Sequence, residues 1–138
     1  MSFIDYFLHH FDGINWVGKE NRNRHTTGSY GEYLALNFLK NLGYEIIEQN
    51  YHYGHGEIDI IAMDNEVLVF VEVKYRRNLE YGPPAYGITG VKQRQVRKIA
   101  EAYLYEKEIR DRVCRFDAVA ILHWPGEKPE ITHFINAF

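Results

Sequence analysis

The sequence has almost none of the features that secreted or membrane proteins use. It contains one cysteine, Cys114, so no disulfide bond can form within the chain and nothing points to an oxidising compartment. No apolar run approaches the roughly 20 residues needed to cross a bilayer. The opening segment MSFIDYFLHHF lacks the basic start and the small-residue cleavage site of a signal peptide. We therefore expect a cytoplasmic protein without a membrane partner.

Common catalytic and cofactor motifs are also missing. There is no Gly-rich phosphate loop, no zinc-ligand spacing and no Ser-His-Asp grouping, and the chain contains no internal repeat. His52 and His55 flank the GEID segment in a Gly-containing loop, at a spacing that can bind a transition metal. Histidines in loops are more often simply polar, so we do not assign these two as ligands.

The composition that is present suits one globular domain. The 138 residues are 46% hydrophobic and 15% aromatic, which is enough to build a single core. Residues 12–30 are polar and weakly periodic, so we interpret residues 1–27 as an N-terminal arm and residues 28–138 as the folded domain. Residues 3–11 could form a short helix.

The spacing of apolar residues predicts a sheet with helices on its faces. Ser29 can cap a helix over residues 31–42 that ends at Gly43, and the core-facing stripe of this helix consists of Ala35, Phe38, Leu39 and Leu42. Thr89 can cap a second helix that runs to about Lys107. Alternating residues predict strands at 44–51, 57–63, 67–75, 116–123 and 131–135. This order is typical of an α/β domain with a mixed central sheet.

The net charge of −3 hides a separation of charges along the chain. Residues 28–73 contain one positive and eight negative side chains, whereas residues 74–115 contain eleven positive and five negative ones. Neighbouring blocks of opposite sign are typical of an acidic pocket beside a basic surface, which would suit a cation and a polyphosphate. A surface of mutually paired charges explains the same counts equally well.

The segment GEIDIIAMDNEVLVFVEVKYR, residues 56–76, carries the candidate chemistry. Because alternate residues of a strand share a face, Glu57, Asp59 and Ile61 fall together in the first strand. In the second strand, one face carries Phe70, Glu72, Lys74 and Arg76.

The length of the connection decides whether Asp59 and Glu72 meet. A two-residue turn at 64–65 would make them diagonal neighbours, and a four-residue loop at 64–67 would place them directly opposite each other. Either even-length connection brings both carboxylates to one face, within roughly 4.5–8 Å of each other.

Two carboxylates at this separation repel each other, and Lys74 offsets only part of that repulsion. A divalent cation would offset the rest, and oxygen ligands suit Mg²⁺ or Mn²⁺. The alternative is a solvated strand face on which Glu and Lys occur incidentally.

Two side chains on the predicted helices are further candidates for this site. Glu32 lies near the edge of the first apolar stripe and is directed toward the sheet, although the helix dipole also favours an acidic residue in a first turn. Lys92 lies in line with the core-facing stripe of the second helix and could reach a phosphate or simply extend to solvent.

These segments resemble those of a known family. Five of them occur in the order found in the uncharacterised bacterial YraN-like family: GSYGEYLALNFLKNLGY, NYHYGHGEIDIIA, VFVEVKYR, GITGVKQRQVRKIAEAYL and RFDAVAI. That family is placed in the PD-(D/E)XK superfamily, beside restriction enzymes and archaeal Holliday-junction resolvases. The resemblance covers about residues 28–122. Ile58 replaces the superfamily's Pro before the Asp, a departure that removes no ligand.

The resemblance implies a restriction-endonuclease-like core and a metal-dependent endonuclease that hydrolyses phosphodiester bonds in DNA, including branched or flap structures. Asp59, Glu72 and the Val73 carbonyl would hold Mg²⁺ or Mn²⁺. Lys74 would orient the attacking water or stabilise developing charge, and Glu32 would be the carboxylate supplied by the helix. The accessory site residues would be Glu57 and Lys92.

Phosphate contacts would come from a basic set made of Arg76, Arg77, Lys92, Arg94, Arg97 and Lys98. Nothing in the sequence resembles a base-reading element, so we expect recognition of nucleic-acid shape by a monomer or a homodimer. A nucleic-acid-binding module that keeps the fold without chemistry is the alternative, and an interaction protein with structural acidic residues is a weaker one. Asp117 is expected to tether Arg115 or a nearby loop.

Overall fold

Five strands in one mixed sheet, with a helix on each face, form the domain. The computed structural model describes residues 24–80, 82 and 88–138. Its elements in chain order are α1 (Arg24–Asn41), β1 (Glu45–Tyr53), β2 (Gly56–Asp64), β3 (Val67–Arg76), α2 (Gly90–Glu106), β4 (Cys114–Leu122) and β5 (Glu130–Phe134). The predicted α/β class is therefore confirmed. Residues 1–23, which include most of the predicted arm and the short helix at 3–11, lie outside the described residues.

The strands lie side by side in the order in which they occur along the chain. Neighbours are antiparallel except for β3 and β4, which are parallel and are connected through α2. A parallel pair needs such a crossover because a tight turn reverses the direction of the chain and can therefore join only antiparallel strands. β3 is consequently the central strand, and its middle residues are buried on both faces.

Each helix covers one face of the sheet. Ala35 and Leu39 of α1 pack in a cluster that contains Ile60. Val96 of α2 packs in a second cluster, on the other face, that contains Ile61. Among the described residues, no helix is both long and apolar enough to cross a membrane.

The first helix begins earlier than its sequence pattern indicates. Ser29 lies inside α1, which starts at Arg24, so the prediction that Ser29 caps the helix is wrong. Gly43, with φ of 93°, ends the helix as predicted, and the N–H of Tyr44 donates to the Leu39 carbonyl across the left-handed residue. The prediction that Leu42 belongs to the core stripe is wrong: it follows the last helical residue and is 53% exposed.

The second helix follows its prediction closely. Thr89 is the N-cap of α2, and its hydroxyl accepts a hydrogen bond from the N–H of Lys92. The helix ends at Glu106, one residue before the predicted end.

The predicted tether at Asp117 is also confirmed. The carboxylate of Asp117 is fully buried and accepts hydrogen bonds from Arg115 Nε at 2.8 Å and from the N–H of Asn136 at 3.0 Å. His133 Nε2 lies 2.8 Å from the other carboxylate oxygen. Arg115 also donates to the Tyr44 hydroxyl, so this network links β4, β5 and the chain entering β1.

The hairpin of β2 and β3 has the even-length connection that the site requires. Asp64 pairs with Val67, so the turn consists of residues 65 and 66, with Asn65 at φ of 53°. Ile60 pairs with Val71, which is the register that places Asp59 level with Glu72. The four-residue loop at 64–67 predicts this same register, but the observed turn contains only residues 65 and 66.

The alternation of β2 is interrupted at its centre. Ile58 and Ile61 both pack in the cluster on the α2 face, whereas Ile60 packs on the α1 face. The prediction that Glu57, Asp59 and Ile61 share one face is therefore wrong for Ile61. The neighbouring strand is irregular at the same level, because Asn50 adopts φ of 52° between the pairs that flank it.

Close packing of α1 on β3 depends on Gly31. A Cβ atom at this position would lie 2.5 Å from the Cβ of Tyr75, which sits next to the backbone and has little freedom to move. We predict that Gly31→Ala lowers the free energy of unfolding by about 1–3 kcal/mol, because overpacking outweighs the helical preference of Ala.

Gly90→Ala is the matched control for this prediction. Gly90 is also helical, but its added Cβ would meet only Arg94, at an ordinary contact distance of 3.5 Å. Urea unfolding followed by circular dichroism should give a lower midpoint for Gly31→Ala and an equal or higher one for Gly90→Ala. Equal midpoints for Gly31→Ala and wild type would show that α1 does not depend on this close approach.

Candidate active site

The candidate site lies where β2 and β3 separate. Their backbone pairing ends at Ile60 and Val71, one residue before Asp59 and Glu72 would pair. Beyond this point the N–H of Val73 donates to Asp59 Oδ2 at 2.8 Å, so a carboxylate replaces a backbone carbonyl as the acceptor. The separation gives both acidic side chains space inside an otherwise continuous sheet. The role predicted for the Val73 carbonyl stays a prediction.

Three carboxylates from two elements meet beside this opening. Glu32 of α1, and Glu57 and Asp59 of β2, each offer one carboxylate oxygen, and these oxygens lie within 4.8 Å of one another. We call these three residues the acidic cluster. Glu72 lies beside the cluster rather than within it. The structure thus brings the predicted accessory residue Glu57 into the same cluster as Asp59 and the helix carboxylate of Glu32.

The position of Glu32 does not depend on the helix dipole. It is the ninth residue of α1, and the dipole acts mainly within the first turn. Burial and the charges of Asp59 and Glu57 raise the pKa of Glu32, and a hydrogen bond from the Asn50 side chain opposes them; together these effects bring the pKa to about 7. The sequence reasoning missed Asn50. Its only signal is that asparagine tolerates the left-handed backbone conformation found there.

Glu72 is an ionisable side chain that the fold buries almost completely. It is 1% exposed, and its Oε2 lies 3.6 Å from Lys92 Nζ. Among the described residues, no hydrogen-bond donor meets its Oε1. Burial and the neighbouring charge of Asp59 raise the pKa of Glu72 while Lys92 and Lys74 oppose the rise; together these effects bring the pKa to about 8.

The charges of Asp59 and Lys74 are also perturbed by burial. Burial raises the pKa of Asp59, which is 8% exposed, and the hydrogen bond from Val73 opposes this shift. Burial lowers the pKa of Lys74, and the charge of Glu72 opposes that change. Ionisable groups that face one another and have shifted pKa values are typical of catalytic and ligand-binding sites.

The donor atoms of this region suit a hard divalent cation. The acidic cluster and Glu72 offer only carboxylate oxygens, which Mg²⁺ and Mn²⁺ prefer. A cation would also give the buried Oε1 of Glu72 an interaction that it otherwise lacks. The residues present therefore fit such an ion.

His52, in β1, lies at the edge of this site, and His55 lies in the β1–β2 turn that follows. His52 Nε2 is 3.4 Å from Glu57 Oε2, although the imidazole is mostly exposed. His55 is exposed as well. His52 therefore contacts a member of the acidic cluster, which the spacing of the histidines alone did not predict.

The basic residues predicted to bind phosphate fall into different environments. Lys92 is half-buried and reaches the site, as its alignment with the core stripe predicts. Arg77, Arg94 and Lys98 are exposed, and none of them forms an ion pair with another described residue. Arg97 is exposed too, but its guanidinium lies 4.6 Å from the centre of the Phe116 ring.

Arg76 is half-buried at the end of β3 and donates to the carbonyl of Tyr75 at 3.3 Å. The carboxylates thus gather at the opening of the sheet, while much of the basic set lies on the exposed side of α2. This arrangement favours an acidic pocket with a separate basic surface over a surface of mutually paired charges.

Comparison with known proteins shows the family of the chain. The model of the uncharacterised protein family UPF0102 matches residues 31–121. The chain belongs to this family. A UPF0102 protein of Geotalea daltonii is 45% identical over 121 residues, which cover 88% of this chain and 95% of that protein. UPF0102 proteins of Rhodococcus opacus and Dictyoglomus turgidum are 45% and 41% identical and cover 80% and 84% of this chain.

Membership of UPF0102 confirms the family expected from the resemblance, and it leaves the activity open. The matched region contains every residue of the acidic cluster together with Glu72, Lys74 and Lys92. UPF0102 is an uncharacterised family, so membership does not assign a reaction to these residues.

The raised pKa of Glu72 predicts a dependence of stability on pH. A carboxyl whose pKa is higher in the folded state stabilises the fold below its unfolded pKa, near 4.5, and loses that contribution as the pH rises through about 8. Glu72→Gln keeps the side chain neutral, so without metal it should be more stable than wild type at pH 8, by about 2–4 kcal/mol.

Thermal unfolding between pH 4 and pH 8 measures this difference. We expect Glu72→Gln and wild type to converge at the acid end, and Glu66→Gln, in the exposed hairpin turn, to follow wild type throughout. A variant that is less stable than wild type at pH 8 would mean that Lys92 stabilises the charged carboxylate more than burial destabilises it.

Proposed function

We propose that this protein is a metal-dependent endonuclease of the PD-(D/E)XK superfamily that hydrolyses phosphodiester bonds in DNA. The observation that carries this proposal is the burial of Glu72 beside Asp59, with one Glu72 oxygen left without a donor among the described residues. A purely structural sheet interior would gain stability from an apolar residue at this position. A cation site explains why an acidic one stands there.

Asp59 and Glu72, together with the carboxylates of Glu32 and Glu57, are the residues that would hold the metal. A bound Mg²⁺ or Mn²⁺ supplies Lewis acidity toward a phosphate and lowers the pKa of a bound water. The hydrogen bond from the Val73 N–H fixes one oxygen of Asp59 and leaves the other for a ligand. Asp59 is therefore oriented by the backbone before any ligand arrives.

Lys74 and Lys92 are the cationic side chains beside these carboxylates. Both lie close enough to Glu72 to act on its charge, and Lys92 forms an ion pair with it. Hydrolysis joins a water oxygen to phosphorus and breaks a phosphorus–oxygen bond, so negative charge grows on the phosphate oxygens and on the leaving oxygen. A half-buried ammonium group in this position stabilises that charge and can donate a proton to the leaving oxygen.

The exposed basic residues give the site access to a polyanion. Arg77, Arg94 and Lys98 are exposed, so they can contact phosphates without first breaking an ion pair with a described residue. Such contacts supply affinity rather than sequence preference. Arg97 is less suited to this role because Phe116 already holds its guanidinium.

Cleavage of labelled oligonucleotides tests the proposed reaction. Wild type should cut in Mg²⁺ or Mn²⁺ and not in EDTA, and Asp59→Asn and Lys74→Ala should each lower the rate by roughly 100-fold or more. Glu66→Gln and Lys40→Ala, which change exposed side chains outside the site, should cut at the wild-type rate. DNA binding by all variants without cleavage by any would favour a non-catalytic binding module.

Metal binding can be measured without activity. At pH 8, Mg²⁺ or Mn²⁺ should raise the midpoint of thermal unfolding of wild type, because the ion binds only the folded site; saturation at 100 times Kd corresponds to about 2.7 kcal/mol. Asp59→Asn should show a much smaller rise, and Glu66→Gln should match wild type. An equal rise in wild type and Asp59→Asn would place the ion elsewhere.

A further inference from the structure

Two exposed tyrosines lie on the α1 turn that carries Glu32. Tyr33 is 59% exposed and Tyr30 is 41% exposed. Their rings are nearly parallel, with centroids 6.4 Å apart and planes 20° from each other. Single exposed apolar residues are ordinary on a protein surface, but two aligned aromatic rings form a continuous surface that water solvates poorly.

The inner ring of this pair is held firmly in place. Tyr30 meets the edge of Tyr75 at 5.8 Å and the ring of His123 at 5.9 Å. The Tyr75 hydroxyl is hydrogen-bonded to His123 Nδ1 at 2.9 Å, and His123 Nε2 lies 2.9 Å from the Glu127 carbonyl. The position of Tyr30 is therefore fixed by contacts with β3 and with the end of β4. A surface whose rings are fixed in advance loses little conformational entropy when a ligand binds.

The tyrosine pair lies next to the proposed active site. Glu32, between the two tyrosines in sequence, offers a carboxylate oxygen to the acidic cluster, so the pair and a member of the cluster belong to the same turn of α1. Tyr75, which meets Tyr30, packs on the α1 face of β3, so Lys74 and Arg76 on either side of it lie on the opposite face of that strand. Exposed Arg77, two residues after Tyr75, is a cationic side chain that can meet a phosphate backbone.

We propose that Tyr30 and Tyr33 form a stacking platform for unpaired nucleobases, and that the preferred substrate contains a single-stranded segment beside the cleaved bond. This inference deepens the proposed function and rests on it for the identity of the ligand as nucleic acid. The faces of unpaired bases are free to stack on tyrosine rings, whereas a duplex keeps its bases stacked internally and presents mainly phosphates and groove edges. Aromatic stacking is also indifferent to sequence, which agrees with the lack of a base-reading element.

Binding of oligonucleotides in EDTA, where no cleavage occurs, tests the platform. The probes are a fluorescein-labelled single strand of roughly 15 nucleotides and the duplex of the same sequence. Tyr33→Ala should weaken single-strand binding about tenfold and change duplex binding by less than about twofold. Tyr33→Trp, which keeps an aromatic ring, should bind single strands at least as tightly as wild type. Tyr105→Ala, which removes an exposed tyrosine from α2, is the matched control and should bind like wild type.

Several outcomes would overturn the platform. These are an equal loss of single-strand and duplex binding by Tyr33→Ala, no loss of either, or wild type that binds no single strand. A change in oligomeric state or in thermal stability without selective loss of single-strand binding would assign the pair to a second copy of the chain or to residues 1–23.

The platform and the proposed reaction can fail separately. Metal-dependent cleavage by wild type, combined with unselective binding by Tyr33→Ala, would leave the nuclease intact and remove the platform. A selective loss of single-strand binding by Tyr33→Ala, in a protein that cuts no substrate, would keep the platform and remove the nuclease.

Discussion

The burial of two neighbouring carboxylates inside a helix-covered sheet is the constraint on which this structure depends. Asp59 and Glu72 lie where water cannot solvate them, so each charge raises the cost of the other. The ion pair of Lys92 with Glu72 and the hydrogen bond from the Val73 N–H to Asp59 offset part of the free energy lost on desolvation. One oxygen of Glu72 is left without a donor among the described residues. This destabilising burial is confined to the region of Asp59 and Glu72, and apolar clusters cover both faces of the sheet around it.

Two glycines allow the neighbouring elements to close around that place. Gly31 lets α1 lie directly on Tyr75, which sets the height of Glu32 above the sheet. On the other face, a Cβ added at Gly56 would come within 2.7 Å of Gln95 Nε2 and Ile99 Cδ1, which are the ends of flexible side chains of α2. Glu32 and Glu57 each lie one residue beyond one of these glycines, so packing against neighbouring side chains helps to set their positions. Packing brings the carboxylates together in spite of their repulsion.

Helix α1 carries two features on different sides of one turn. Glu32 reaches the acidic cluster, whereas Tyr30 and Tyr33 expose their rings to solvent. Because successive residues of a helix are about 100° apart, neighbouring positions of one turn can contribute to a buried cluster and to an exposed surface at once.

The sequence by itself determined the class of fold, the Thr89 cap and the even-length connection between β2 and β3, because local periodicity, capping chemistry and turn length are properties of neighbouring residues. It also carried the family, since UPF0102 membership rests on residues alone. Tertiary structure decided the interruption of β2 at Asp59, the burial of Glu72 and the stacking of Arg97 on Phe116. These features depend on which distant elements meet, and no local pattern encodes the distance between side chains that lie far apart in the chain.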